Sequence, residues 1–150
     1  MSTYKIADFF SNDHLVTTLS TLPRNEELRL FAVSYWAAAG SIVLNGGYDS
    51  NSDPTAQTFL LDVQTGEWEQ RFFPDLIVAR GDHASISLGK QCYVACGVGN
   101  YGSQLRSVEM LRMGAQKWEL IDIPTLKPRA RPVFSQFDSL NICILGGLGR

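Results

Sequence analysis

Two histidines, three cysteines and a glycine-rich triplet are the residues of this 150-residue chain whose types could do chemistry. His14 and His83 lie far apart, and neither falls in a metal-ligand spacing. Cys92 and Cys96 are an even number of positions apart in an apolar, strand-like run. They are therefore expected on one face of a strand, as packing residues. With Cys143 the cysteine count is odd, so no disulfide framework is expected and a reducing, cytoplasmic compartment fits. Gly97, Gly99 and Gly102 spell G-x-G-x-x-G, but a dinucleotide site needs a helix after the glycines, and none is indicated. Gly46-Gly47-Tyr48 lacks a phosphate-binding lysine, and Ser85 and Ser87 have no base spaced to activate them. No catalytic residue, no metal site and no cofactor is expected.

The composition points away from other partner classes. A net charge of -2, with no run of more than two Lys or Arg, makes nucleic acid and acidic membrane surfaces poor partners. Met1 to Asn12 has one lysine and no apolar stretch of signal-peptide length, and no run approaches a membrane span. Hydrophobic residues at 45% supply a core, so the chain reads as globular rather than disordered.

The elements that must position any site come from a repeat. Gly46-Gly47, Cys96-Gly97 and Gly146-Gly147 recur at one spacing of 50 residues, as do Trp68 with Trp118 and Pro74 with Pro124. Phe59-Leu60-Leu61 matches Glu109-Met110-Leu111 at the same spacing. Short apolar runs bounded by Gly, Asn, Asp and Pro read as strands. In the middle unit these are His83 to Leu88, Gln91 to Cys96, Ser107 to Arg112 and Lys117 to Ile123. Four short strands per unit describe one blade of a propeller. Residues 30–74 and 80–124 make two blades, 129–150 a half blade with strands 1 and 2, and 1–23 a half blade with strands 3 and 4. In the latter, Phe9-Phe10 is strand 3, Ser11 to His14 the turn and Leu15 to Leu22 strand 4.

An apolar run ending in a double glycine, then a strand, a turn and a Trp resembles the kelch repeat, the galactose oxidase-like β-propeller family, whose period is about 50 residues. The likeness departs at Cys96, in place of the first glycine, and at Thr18, where a Trp would fall. It implies an all-β fold of kelch-type blades, four-stranded antiparallel meanders. The chain supplies about three blades' worth, an incomplete ring, where propellers have about 4–8 blades. Truncation of a longer propeller is the favoured expectation. The alternative is a homodimer completing one six-bladed ring, or the two half blades pairing into one.

Strand alternation puts the long loops, 48–57, 73–82, 98–104 and 124–132, on one face, and long loops on a rigid scaffold are where binding lives. The expected partner-binding residues there are Tyr48, Asp49, Asn51, Asp53, Arg80, Asp82, His83, Asn100, Tyr101, Arg129 and Arg131. Tyr and Arg are the types enriched in interface hot spots. The resemblance implies that Arg80, and Arg129 or Arg131, lie near the central channel and take an acidic protein or peptide, for which a guanidinium fork is suited. Against this stands a structural role, the arginines tying neighbouring blades together through backbone carbonyls. Gly46, Gly47, Trp68, Gly97, Trp118, Gly146 and Gly147 are structural landmarks of the repeat. Cys96 in the glycine slot suggests that the first glycine is the less demanding of the pair. The family implies a protein-interaction module, for example a substrate-recognition subunit of a ubiquitin ligase or a scaffold. The alternative is part of a kelch-fold enzyme of the galactose oxidase or sialate mutarotase type.

Overall fold

The structure, a computed structural model, describes residues 8–10, 16–18, 28–69 and 73–149. These hold eleven strands and no α-helix. β1 (Asp8–Phe10) pairs with β2 (Val16–Thr18). β3 (Ala32–Trp36), β4 (Ser41–Asn45) and β5 (Thr58–Asp62) form a three-stranded sheet. β6 (Ala84–Leu88), β7 (Gln91–Ala95), β8 (Val108–Arg112) and β9 (Glu119–Ile121) form a four-stranded sheet, and β10 (Val133–Gln136) pairs with β11 (Ile142–Leu145). Every pairing is antiparallel between chain neighbours. Trp68 bridges back to Leu61, which starts a fourth strand beside β5. The result is a partial propeller that does not close.

Period-2 patterning explains the strands. In β3, Ala32, Ser34 and Trp36 are buried while Val33 and Tyr35 are exposed. The hairpins close on left-handed residues, Gly40 after β3 and Gly89 after β6, where a Cβ would be strained. The sheets stack through their first strands, β3 on β6 and β6 on β10. Between the first two lies a cluster of Trp36, Val43, Leu76, Cys92, Val94, Leu111 and Trp118. Both indoles of that cluster reach across the junction: Trp36 Nε1 donates to the Gly89 carbonyl at 3.0 Å and Trp118 Nε1 to the Pro74 carbonyl at 2.9 Å. Ala95, Cys96 and Val108 pack with Phe134 and Ile144 at the next junction.

Two expectations need correction. The two end hairpins do not pair with each other; each is a separate two-stranded sheet, because so few blades fall short of a circle. Cys92 and Cys96 do not share a strand face, since β7 stops at Ala95 and Cys96 turns into the left-handed region at φ 60°. The first position of the glycine pair is the less demanding one, as expected: Gly46, Cys96 and Gly146 have φ near 60°, whereas Gly47, Gly97 and Gly147 have φ of 92–100° and a backbone oxygen where a Cβ would go. Among the first positions, the Arg80 carbonyl and the His83 ring fill the space where a Cβ on Gly46 would go, and Pro132 takes the place of His83 one repeat later. The Ser11 to His14 turn lies outside the described residues.

Candidate functional site: the long-loop face

Each blade begins with a bridge between the residue leading into its first strand and the residue after its second: Arg29 with Tyr48, Gly81 with Val98, Ala130 with Leu148. These bridges set the long loops side by side on one face. On that face three blades are linked by one line of polar contacts. The Tyr48 hydroxyl donates to Asp82 Oδ2 at 3.3 Å, and Arg131 Nε donates to Asp82 Oδ1 at 3.0 Å. The Arg131 backbone N–H also donates to the Asp82 carbonyl at 2.7 Å. Asp82 and Arg131 both hold positive φ, which aims their side chains at each other. Burial first, then the Asp82 carboxylate, push the Tyr48 phenol above its usual pKa, so it stays a donor. The Tyr48 ring lies directly over Gly81, in the space a Cβ there would need.

Beside this line is an open cleft of about 660 Å³ lined by Leu28, Arg29, Leu30, Phe31, Tyr48, Ser52 and Asp82. Arg29 holds its far wall, donating to the Asp49 carbonyl at 3.2 Å and to Ser52 Oγ at 3.0 Å. Asp49 organises its own loop by accepting from the N–H groups of Asn51 and Asp53, both at 2.9 Å. Asn51, Asp53, Asn100 and Tyr101 are exposed. Tyr101 stands clear of the surface in a left-handed conformation at the tip of the 98–104 loop.

The structure assigns other work to three of the expected contact residues. Arg80 has no solvent exposure, so it presents nothing to a partner. It donates to the Cys96 carbonyl (2.9 Å), the Ser107 carbonyl (3.1 Å), Ser107 Oγ (2.9 Å) and Glu109 Oε1 (2.6 Å), all within its own blade. His83 is likewise buried. Its Nε2 lies 2.8 Å from Asn45 Oδ1, and Asn45 in turn donates to Ser85 Oγ at 3.2 Å, so the ring donates at Nε2. Ser85 and Ser87 join Ser34 in the same junction, as structural hydroxyls. Arg129 is half-buried and repeats two of Arg80's bonds, Nε to the Lys127 carbonyl at 3.3 Å and NH1 to the Gly146 carbonyl at 2.9 Å. Both arginines tie carbonyls of their own blade rather than of a neighbouring one.

The chain resembles a kelch-repeat protein. Over 116 residues, 74% of this chain, it is 30% identical to the F-box/kelch-repeat protein SKIP20 of Arabidopsis thaliana, of whose length it spans 28%. No family model matches it.

The sequence reading missed Arg29 and the apolar wall Leu28, Leu30 and Phe31. The signal was available, because Leu28 to Phe31 leads into β3 as Arg80 to His83 leads into β6. Among the described residues no group of three His, Cys, Asp or Glu is placed to hold a metal ion, and no helix is long and apolar enough to cross a membrane. The face is a hydrogen-bonded frame on which apolar, aromatic and guanidinium groups stand.

Proposed function

We propose that the chain is a protein-interaction module that binds an acidic protein or peptide through the long-loop face, as a substrate-recognition or scaffold subunit in the cytoplasm. The observation that carries this reading is the Tyr48–Asp82–Arg131 line. It spans three blades and holds Arg131, whose side chain is 63% exposed, beside the cleft. A rigid frame lowers the entropic cost of ordering a contact surface. The similarity to a protein named for its F-box and kelch repeats supports an interaction role without catalysis.

The test is binding of a panel of acidic and basic peptides by the wild-type chain and by Arg131→Glu and Tyr101→Ala. The expected result is selective retention of acidic peptides. Arg131→Glu should weaken it at least tenfold, a loss of about 1.4 kcal/mol or more, and Tyr101→Ala, at a side chain that stands clear of the frame, should weaken it with an unchanged melting temperature. Equal retention of basic peptides, or indifference to both substitutions, would overturn the reading.

A further inference from the structure

The carboxylate beside Arg131 limits which acid that guanidinium can take. Asp82 holds Arg131 twice. Its Oδ1 accepts from Arg131 Nε at 3.0 Å, and its carbonyl accepts from the Arg131 backbone N–H at 2.7 Å. The Asp82 side chain is only 14% exposed, and its other oxygen, Oδ2, accepts from the Tyr48 hydroxyl at 3.3 Å. Ordinary surface ion pairs contribute little and are readily screened. This one is tethered through the backbone on one side and by a phenol on the other, so Asp82 stays next to the guanidinium when a partner arrives.

Bonding through Nε leaves NH1 and NH2 of Arg131 as a planar edge with no partner among the described residues. Two parallel N–H groups on such an edge match the two oxygens of a carboxylate. A phosphomonoester fits the same edge but is close to a dianion at neutral pH, because its second pKa is about 6. Phosphate recognition uses clustered cations, and the neighbouring guanidiniums are turned elsewhere. Arg129 points Nε and NH1 at the carbonyls of Lys127 and Gly146, and Arg29 points NH2 at the Asp49 carbonyl and Ser52 Oγ. The Arg131 charge is already offset by Asp82. An arriving carboxylate therefore adds a single uncompensated charge beside Asp82, whereas a phosphate adds about two.

We propose that the long-loop face selects carboxylate over phosphate, and that Asp82 sets this preference by engaging Arg131 through Nε and keeping a negative charge beside its free edge. The inference rests on the reading of this face as acid-binding and narrows it. The partner segment presents an aspartate, a glutamate or a chain-terminal carboxylate to Arg131, not a phosphorylated side chain. Asp82 acts here as a positioning and specificity-determining residue, with Arg131 making the contact.

The test titrates the chain with two synthetic peptides, one carrying a single glutamate among neutral residues and the other phosphoserine in its place. Binding is followed at low salt by the NMR signals of the Arg131 amide and Nε–H. At pH about 7.5 the wild type should hold the glutamate peptide about fivefold tighter or more, and the preference should shrink below pH about 6, where the phosphate keeps its second proton. Asp82→Asn, which keeps an acceptor for Nε but removes the charge, should bring the ratio of the two affinities close to one at the higher pH. A merely structural role for Asp82 would weaken both peptides alike and leave the ratio unchanged. The proposal is overturned by a phosphoserine peptide that binds the wild type as tightly as the glutamate peptide, or by an unchanged ratio in folded Asp82→Asn. Should that variant not fold, a wild-type ratio indifferent to pH overturns it instead. Binding of neither peptide would sink the acid-binding reading itself, and this inference with it.

Discussion

The guanidinium of Arg80 and the carboxylate of Glu109 meet at 2.6 Å with neither side chain reaching solvent. Burial draws the Arg80 pKa below its usual value, and the Glu109 charge opposes that shift. Glu109 is further satisfied by the N–H groups of Ile77 at 2.6 Å and Val78 at 3.0 Å, which fasten the segment leading into β6 to the blade. Such a pair is not in itself a source of net stability, because two desolvated charges cost about what their attraction returns. Its role is to fix one register, and the preceding repeat does the same work with Leu28 and Phe59.

Arg80→Leu alone should therefore cost about 3–5 kcal/mol, since it strands the Glu109 charge in the interior. Adding Glu109→Phe should recover more than half of that loss. The remainder reflects the Ile77 and Val78 amides, whose lost acceptor costs about 1–3 kcal/mol per buried group. Urea unfolding of the two single variants and the double variant gives the coupling directly. Additive effects would show that the two positions do not act as a pair.

Gly81 and Tyr48 are coupled by volume. A Cβ on Gly81 would strike the Tyr48 ring, and one repeat later the same two positions hold Ala130 and Val98. Gly81→Ala should destabilise by about 1–3 kcal/mol through overpacking. In a Tyr48→Val background the same substitution should be neutral or better, since it then reproduces the neighbouring junction. Thermal melts of the four proteins decide this, and an equal penalty in both backgrounds would exclude the steric account.

Trp118 spans a blade junction with its indole N–H on the Pro74 carbonyl. Trp118→Phe keeps an aromatic ring but leaves that buried carbonyl unpaired, for an expected loss of about 1–3 kcal/mol. Trp36→Phe should cost less, because Gly89 is exposed and water can take the place of the indole at its carbonyl. Unchanged unfolding midpoints in both variants would mean that the rings alone hold the junctions.

The blades were legible in the sequence because a strand and its turn are local. The apolar run Cys92 to Ala95 lies within β7, Gly89 makes the turn before it, and both signals lie within a few residues. The corrected residues are those whose environment is set by distant chain. Arg80 looks like an interface arginine until Glu109, from another strand, closes over it. The clue was a lone glutamate aligned with Phe59 inside an apolar strand, where only a buried cation would make it tolerable. His83 looked like a loop residue for the same reason; Asn45, from the preceding blade, gives it a partner. On the long-loop face, Asn51, Asp53, Asn100 and Tyr101 stand exposed. The Tyr48–Asp82–Arg131 line crosses three repeats and no single repeat encodes it.

His83 makes the fold sensitive to acid. Burial, then the nearby Arg80 charge, lower its pKa from 6.5 to about 3, and its Nδ1 has no partner to hold a proton for. In the unfolded chain the imidazole protonates near its ordinary value, so between pH 6.5 and about 3 the unfolded state binds one proton more than the folded state. Stability should accordingly be flat above that window and fall as the pH drops through it, by about 1.4 kcal/mol per pH unit from this group. His83→Gln retains a donor for Asn45 and cannot titrate. The wild type should lose clearly more stability than His83→Gln between pH near 7 and pH near 5 in urea titrations. Equal losses would place the acid sensitivity elsewhere.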